Sequence, residues 1–204
     1  ELIELSQKKN IPILVNYSRR FVPELQNLKK DIFDNVFGEY LSGNGYYGKG
    51  ILHNGSHMID LLRFLLGEIE GFHCFDKIYD FYKNDPSISA RFSLCSNRSF
   101  TLNAIDCRNF TIFEIDLVFE KARVKILNSG FEIEKYQVLD SKIYKNYQIL
   151  NLENAIDTSL DKALYYAVDN ICGYFSNYDP LKCNVSDGLE GMRTPLQMIN
   201  KMSK

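Results

Sequence analysis

Residues 50–67 of this 204-residue chain read GILHNGSHMIDLLRFLLG and contain the clearest helix signal in the sequence. Ser56 is of a residue type that caps helix N-termini, and Gly67 is of the type that follows helix C-termini. Between them, five apolar residues recur at helical spacing: Met58, Leu61, Leu62, Leu65 and Leu66. The pattern predicts an amphipathic helix from Ser56 through Leu66 whose apolar face packs on a core.

The stretch that follows this helix, residues 68 to about 148, has the period of strands. Alternation is clearest at residues 113–119, where Phe113, Ile115, Leu117 and Phe119 alternate with Glu114, Asp116 and Val118. Such strands bury one face and wet the other, which is typical of antiparallel sheets. Turn-forming residues at 84–86, Asn97 and 128–130 separate the strands. If the apolar set of residues 113–119 faced away from the helices, it would leave an apolar sheet face through which copies associate.

Helix signals flank the sheet region on both sides. Residues 1–9 have the pattern of a helix end, residues 10–12 break it, and the apolar run at residues 13–15 predicts a buried strand. Further helices are predicted at residues 23–33, 157–176 and 187–202. Segregated helices and strands predict the α+β class: an open, mainly antiparallel β-sheet with helices packed on one face, preceded by a short helix and strand.

The composition excludes several classes of function. Lys and Arg number 24 against 26 Asp and Glu, a net charge of −2 without a basic block, so a nucleic-acid partner is not expected. No uncharged apolar run approaches the roughly 20 residues that cross a bilayer. Five cysteines lack the spacing of a disulfide framework or zinc ribbon, and the Asn-x-Ser/Thr sequons occur without a signal peptide. We therefore expect a cytoplasmic protein with reduced thiols.

A GxGxxG pattern, GNGYYG, occupies residues 43–48. In a dinucleotide site such a pattern follows a strand and opens a helix near the start of a βαβ unit. Here no apolar helix begins before Ser56. We interpret the pattern as bends in a strand that leads to a loop.

His53 and His57 lie four residues apart at the entrance of the predicted helix. One interpretation is a zinc site completed by His73 or Asp60, and a second is a histidine that only caps the helix. A third is a catalytic base, because the dipole of a first helical turn disfavours imidazolium and leaves His57 free to accept a hydroxyl proton during alcohol oxidation. Asp60 and Arg63, three residues apart, are interpreted as an ion pair on the helix surface.

The segment at residues 49–60, taken with VNYSRRFVP at residues 15–23 and SDGL at 186–189, resembles the Gfo/Idh/MocA family, named after glucose-fructose oxidoreductase and inositol dehydrogenase. The resemblance extends over essentially the whole chain. It implies an N-terminal Rossmann domain that holds NAD or NADP and supplies a lysine from a Glu-Lys-Pro motif. It also implies a C-terminal domain with the substrate pocket and the oligomer contact. His57 falls on the family's catalytic histidine, and His53 falls where an aspartate is often found.

The chain itself contains no Glu-Lys-Pro motif. By the resemblance, residues 1–17 would be the C-terminal remnant of a Rossmann domain, and residues 18–204 would be the substrate-binding and oligomerisation domain. We therefore expect NAD or NADP to be bound mainly by a missing N-terminal domain, and this chain alone to be inactive. The candidate substrate contacts around His57 are Tyr47, Lys49, His53, Asn54 and Arg20. Lys49 or Arg20 would hold an anionic group.

Three hypotheses of function follow. The first is an NAD(P)-dependent oxidoreductase of a sugar, sugar derivative or nucleotide sugar, a homo-oligomer in which His57 is base in oxidation and acid in reduction. The second is a non-catalytic binding or dimerisation module of the same fold. The third is a metal-dependent hydrolase that uses His53 and His57.

Overall fold

The computed structural model describes residues 2–95 and 98–203, and the turn predicted at Asn97 lies outside them. Within these residues the helices are α1 (Leu2–Lys9), α2 (Pro23–Phe33), α3 (Ser56–Leu66), α4 (Ala163–Asn177) and α5 (Val185–Met202). The strands are β1 (Tyr40–Tyr47), β2 (Ile69–Tyr82), β3 (Asp85–Leu94), β4 (Arg98–Ala104), β5 (Phe113–Phe119), β6 (Ala122–Leu127), β7 (Glu132–Asp140) and β8 (Gln148–Asp157).

The predicted bounds of α2 and α3 are confirmed. Pro23 opens α2, where its missing N–H has no intrahelical acceptor in any case, and Leu25 and Leu28 turn into the core. In α3, Met58 and Leu62 are fully buried, as the apolar stripe predicts. These helices form because their apolar residues share one face that the sheet can cover.

Near the C-terminus, α4 and α5 take the places of the two predicted helices. A capping box fixes the start of α5: Asn184 Oδ1 accepts the N–H of Asp187 at 3.2 Å, and Asp187 Oδ2 accepts the N–H of Asn184 at 2.9 Å. The sequence periods did not predict β8, a strand whose side chains are mostly exposed at the edge of the sheet. An edge strand lacks a buried face, so no alternation marks it.

The eight strands form one open sheet in the order β2-β3-β4-β1-β5-β6-β7-β8. β1 and β4 pair parallel, and the other neighbouring strands pair antiparallel. The sheet is therefore mixed, although mainly antiparallel as predicted. The parallel pair arises because the chain leaves β1 through α3 and returns to it only after the β2-β3-β4 meander.

The apolar residues of β5 face the helices. Phe113, Ile115, Leu117 and Phe119 are at most 4% exposed and belong to the core between sheet and helices. An apolar association face was expected only if these four residues faced away from the helices, and they do not. The opposite face carries polar groups, including the Arg123–Asp116 ion pair. The helices cover the one face that the alternating pattern made apolar.

Residues 43–47 of the GxGxxG pattern lie in β1 and Gly48 follows the strand, as its interpretation as a strand that leads to a loop predicted. A Cβ atom at Gly43 would lie 2.8 Å from the ring of Phe100, and one at Gly45 would lie 2.9 Å from the same ring. These glycines therefore make room for an aromatic ring from the parallel neighbour β4.

The N-terminal segment differs from the predicted helix and strand. The helix is present as α1, but residues 13–15 are only half-buried and do not join the sheet. Leu14 makes an isolated antiparallel bridge to Asn184, and the N–H of Val15 donates to the carbonyl of Cys183 at 3.0 Å. An apolar run becomes a strand only where a neighbouring strand pairs with it, and in the described residues this run lies beside the start of α5.

Candidate functional site

A π-helical turn over Gly50–Gly55 leads directly into α3. Ser56 is therefore not the N-cap that the sequence predicted, and its Oγ donates to the carbonyl of His53 at 2.8 Å. Lys49 precedes the turn in the left-handed conformation, with φ 63° and ψ 40°. As a result, His57 lies inside a continuous helical segment rather than in its first turn.

Two carboxylates from β2 and β3 hold this turn. Asp80 Oδ2 accepts the N–H of Lys49 at 2.7 Å. Asp85 accepts the N–H of Leu52 at 2.9 Å and that of His53 at 3.1 Å. The first N–H groups of a helical segment lack intrahelical acceptors, so anions are favoured there by hydrogen bonding and by the helix dipole. The β2–β3 pair thereby fixes the approach to α3.

His57 is half-buried, and its ring meets that of Tyr17 edge to face at a centroid distance of 5.2 Å. Burial, followed by the electrostatic effects of Arg19 and His53, lowers the pKa of His57 to about 4. The imidazole is thus neutral at neutral pH. The sequence predicted this state from the helix dipole, whereas in the structure burial is the largest cause and the charge of Arg19 is the second.

Tyr17 is held against α5 by two glycines. A Cβ atom at Gly191 would lie 2.7 Å from the hydroxyl of Tyr17, and one at Gly188 would lie 2.6 Å from Val15 Cγ2. The glycines let residues 15–17 lie directly on the helix. Burial raises the pKa of the Tyr17 hydroxyl, and the charge of Asp60 raises it further, so the hydroxyl stays protonated.

His57 and Tyr17 form part of the wall of a groove of about 790 Å³ between the N-terminal segment, α3 and α5. Most of the wall is apolar, with His57, Tyr17, Ser56 and Asn16 as its polar members. The remaining lining residues are Leu2, Ile3, Ile13, Val15, Val185, Gly188, Leu189 and Met192. An apolar groove with a few convergent polar groups has the chemistry of a small-molecule site.

Arg20, a predicted substrate contact, is instead part of a buried ion network. Its Nε and NH2 groups donate to Asp60 at 2.9 and 2.8 Å, and NH1 donates to Asp187 at 3.1 Å. Arg63 pairs with Glu68 at 2.7 Å. The predicted surface pair of Asp60 and Arg63 is also wrong, because both residues are buried where α3 meets α5 and the turn that contains Arg20. These carboxylates already satisfy the charge of Arg20.

Arg19, the neighbour of Arg20, has a different environment. Its guanidinium carbon lies 3.8 Å from the centroid of the Phe113 ring. Nε and NH2 donate to the carbonyl of Ser129 at 3.1 and 2.6 Å. Burial alone lowers the pKa of Arg19 to about 10. Its charge reaches His57, as the lowered pKa of that histidine records.

Tyr47 and Lys49, two further predicted substrate contacts, lie outside the groove. Tyr47 is fully buried, and its hydroxyl accepts the N–H of Ile88 at 2.7 Å and donates to the carbonyl of Ile88 at 3.0 Å. The prediction for Tyr47 is therefore wrong: it is a core residue that joins β1 to β3. Lys49 is half-buried, with Nζ 5.1 Å from the centroid of the Phe81 ring.

His53 is exposed, and its ring lies 5.6 Å from that of Tyr82. It borders a shallow depression of about 300 Å³ instead of the large groove. Asn54 is half-buried and also lies outside the groove lining. Of the predicted set, only His57 lines the groove. Sequence reasoning missed Tyr17, although it belongs to the VNYSRRFVP motif, because spacing alone does not show which of its residues face His57.

Neither a metal centre nor a membrane span is found in residues 2–95 and 98–203. No group of three or more His, Cys, Asp or Glu residues in this range is arranged to hold a metal ion. No helix there combines the length and apolar character needed to cross a bilayer.

Comparison by sequence finds no relative: no protein-family profile and no curated protein matches the chain. Solved structures do match. A super-repressor mutant of Gal80p from Saccharomyces cerevisiae aligns with a TM-score of 0.78 and 11% identity over 99% of this chain and 67% of that one. UDP-N-acetylglucosamine 3-dehydrogenase GnnA from Acidithiobacillus ferrooxidans aligns with a TM-score of 0.76 and 14% identity over 97% of this chain and 64% of that one.

The WlbA dehydrogenase from Bordetella pertussis, solved in complex with NADH and UDP-GlcNAcA, aligns with a TM-score of 0.70 and 13% identity over 97% of this chain and 64% of that one. GnnA and WlbA are dehydrogenases of the Gfo/Idh/MocA type, and Gal80p shares their fold. The resemblance noticed in the sequence is therefore confirmed for the fold. The chain spans about two thirds of the length of the structures it matches.

Proposed function

We propose that the chain is the substrate-binding part of an NAD(P)-dependent oxidoreductase that acts on a sugar, a sugar derivative or a nucleotide sugar, with His57 as the proton-transfer residue. The proposal depends on one observation: His57 is a neutral, half-buried imidazole, packed on Tyr17 in the wall of an apolar groove. The fold around it is shared with GnnA, a nucleotide-sugar dehydrogenase, and with WlbA, solved with a nucleotide sugar.

In oxidation, His57 accepts the proton of a substrate hydroxyl while a hydride leaves the same carbon, and in reduction the imidazolium returns the proton to that oxygen. NAD(P), when bound, accepts or donates the hydride. The edge-to-face contact with Tyr17 fixes the orientation of the imidazole ring. A pKa near 4 makes the imidazole of the free chain a weak base. A bound anionic group that offset the positive charge of Arg19 would raise the pKa of His57 and make the imidazole a stronger base.

The groove suits only one end of a dinucleotide. Ile13, Val15, Leu189 and Met192 offer an apolar wall that matches the face of a nicotinamide ring. The only GxGxxG pattern in the sequence occupies the second half of β1 and the residue after it, rather than the start of a helix, where it could cradle a pyrophosphate. We therefore assign the dinucleotide chiefly to an N-terminal Rossmann domain, with residues 1–17 as its C-terminal remnant and residues 18–204 as the substrate-binding domain. Isolated, this chain is expected to be inactive.

A second copy of the chain is the proposed protein partner, bound through the open sheet face. This face presents Val118, Leu150 and Leu152 beside the polar groups of Arg123 and Asp116. Such a mixed surface is typical of interfaces between folded subunits. Light scattering at micromolar concentration is expected to give a dimer or larger species, and a strict monomer would contradict the assignment.

The experiment that tests the enzyme proposal compares two proteins by calorimetry: the longest reading frame that contains this chain, and the 204-residue chain itself. The long form is expected to bind NAD(H) or NADP(H), and the short form is not. His57→Gln in the long form is expected to keep dinucleotide affinity and lose turnover of UDP-sugars. Turnover that survives His57→Gln would refute the role of His57.

The alternative function is a non-catalytic binding or dimerisation module. It is favoured by the match to Gal80p, whose structure was solved as a super-repressor mutant. It is also favoured by His53, which stands where the resembled family often has an aspartate. Absence of dinucleotide binding by both forms would support this module over the oxidoreductase.

A further inference from the structure

The outer face of α4 is apolar although it is exposed. Four apolar residues of this face, which we call the α4 stripe, are between 36% and 67% exposed: Leu164, Val168, Ile171 and Phe175. Tyr165 beside them is 68% exposed. The residues that α4 buries are small or polar: Ala163, Ala167 and Asn170. The helix therefore turns several large apolar side chains outward, which is not expected of a helix whose only contact is its own core.

The α4 stripe also lacks the charges of a solvated helix face. Asp169 is the only Asp, Glu, Lys or Arg residue in α4. By contrast, α2 carries the exposed ion pair of Lys30 and Asp34, and α5 carries that of Arg193 and Glu190. Exposed apolar surface that is contiguous rather than scattered marks an interaction site.

The spacing of the stripe is that of a seam between two helices. Its members follow one another at intervals of four, three and four residues, the a/d repeat of helices that pack side by side. The 15 residues of α4 form a rod about 22 Å long. A second helix of similar length therefore fits the stripe along its whole length.

The stripe is its own complement in an antiparallel pair. A twofold axis between residues 169 and 170 places Leu164 opposite Phe175 of the second copy, and Val168 opposite Ile171 of that copy. Every member of the stripe then meets an apolar side chain, and no charged residue lies in the seam. The antiparallel arrangement also places the two helix dipoles in opposite directions, which is favourable.

The exposed area is sufficient for a specific but weak contact. With about 200 Å² for an exposed aromatic side chain, Tyr165 and Phe175 contribute roughly 270 Å², and the aliphatic members of the stripe about as much. Two copies thus bury roughly 1,000 Å², which is near the lower limit for a specific interface. A lipid surface suits the stripe less well, because helices that lie on membranes carry Lys and Arg on their polar face and α4 has neither.

We propose that α4 is a self-association surface, through which two copies of the chain pack their α4 stripes antiparallel about a twofold axis. This surface belongs to a helix, whereas the contact proposed above uses the open sheet face, so the two are separate. Two different isologous interfaces on one chain give a tetramer when both form, and either alone gives a dimer.

Disulfide trapping tests the register of the pair. Leu164→Cys and Phe175→Cys are made in a Cys95→Ser/Cys172→Ser background, because Cys95 and Cys172 are the exposed cysteines of the described residues. In the proposed pair the two copies of residue 164 lie about 16 Å apart along the helix axis, beyond the reach of a disulfide, and so do the two copies of residue 175. Each variant alone is expected to stay unlinked on oxidation, whereas a mixture of the two forms a covalent dimer.

Sedimentation equilibrium of the 204-residue chain, from about 1 to about 300 µM, measures the association itself. Val168→Glu places two like charges in the seam and is expected to weaken the α4 contact at least about tenfold. Val168 is 50% exposed and glutamate is a good helix former, so the variant should fold. Ser176→Glu, the matched control, adds the same charge at an exposed position of α4 outside the stripe and should associate like the wild type.

Leu150→Glu separates the α4 contact from the sheet-face contact. If both interfaces form, the wild type is a tetramer, and Val168→Glu and Leu150→Glu are each dimers. If only the α4 interface forms, the wild type and Leu150→Glu are dimers and Val168→Glu is a monomer. Both results support the α4 interface, and the second refutes only the sheet-face contact.

Four results would overturn the α4 interface. The first is a wild-type chain that associates no more strongly than Val168→Glu, and the second is Leu164→Cys that links to itself as readily as to Phe175→Cys. The third is a monomeric chain that sediments with phosphatidylcholine vesicles unless Val168 is replaced by Glu, which would assign the stripe to a lipid surface. The fourth is slowed amide exchange of α4 in the longest reading frame beside a monomeric 204-residue chain, which would assign the stripe to a segment outside these residues.

Discussion

Replacing Asp60 by asparagine is expected to destabilise the chain by about 3 kcal/mol, near the lower end of the range for breaking a buried ion pair. The Asp60 side chain is 3% exposed and accepts hydrogen bonds from Nε and NH2 of Arg20. Asparagine keeps the shape but removes the charge, which leaves Arg20 with Asp187, a carboxylate that is 27% exposed and therefore better screened. Against a total stability of about 5–15 kcal/mol, this is a large fraction.

Urea unfolding followed by circular dichroism at neutral pH measures this loss as a lower midpoint with an unchanged slope. Asp34→Asn is the control, since Asp34 pairs with Lys30 on the exposed face of α2, and it should cost less than about 1 kcal/mol. The double variant Arg20→Met/Asp60→Leu should cost less than Asp60→Asn, because the carboxylate that it leaves without Arg20, that of Asp187, is 27% exposed, whereas Asp60→Asn weakens the pairing of the buried Arg20. The reasoning fails if Asp60→Asn stays within about 1 kcal/mol of the wild type, or if the double variant is the less stable of the two.

Three further predictions concern the pH dependence and the packing of the site. His57 takes up a proton near pH 6.5 in the unfolded chain but only near pH 4 in the folded chain, so the free energy of unfolding decreases as the pH drops from about 6.5 to about 4. In urea titrations across this range, His57→Gln should make that decrease smaller by up to about 3 kcal/mol. Asp85→Ala should cost about 1–3 kcal/mol and speed hydrogen exchange of the amides in the π-helical turn; unchanged exchange there would contradict the capping role. Gly188→Ala should lower the thermal midpoint because its Cβ meets Val15 at 2.6 Å, whereas Gly173→Ala in α4 meets only the tip of a flexible side chain and should be neutral or stabilising.

Local pattern was enough to predict most of the fold. The bounds of α2 and α3 follow from apolar residues at helical spacing between a permitted start and a glycine or polar end. The buried face of β5 follows from strict alternation. The patterns failed where local sequence does not carry the information: β8 has no buried face, and residues 13–15 are apolar but find no strand to pair with. Pairing is a property of two segments, and one segment cannot reveal it.

The sequence by itself determined the α+β class, the resemblance carried by its motifs and the choice of His57, because residue types and spacing are local quantities. Only the tertiary structure decided which neighbours act on that histidine. It buried Tyr47 in the core and paired Arg20 with Asp60. It also left Arg19, the residue next to Arg20, without a carboxylate in the described part of the chain. The physical reason is that burial and charge compensation depend on groups far apart in sequence, so two adjacent arginines can have opposite roles.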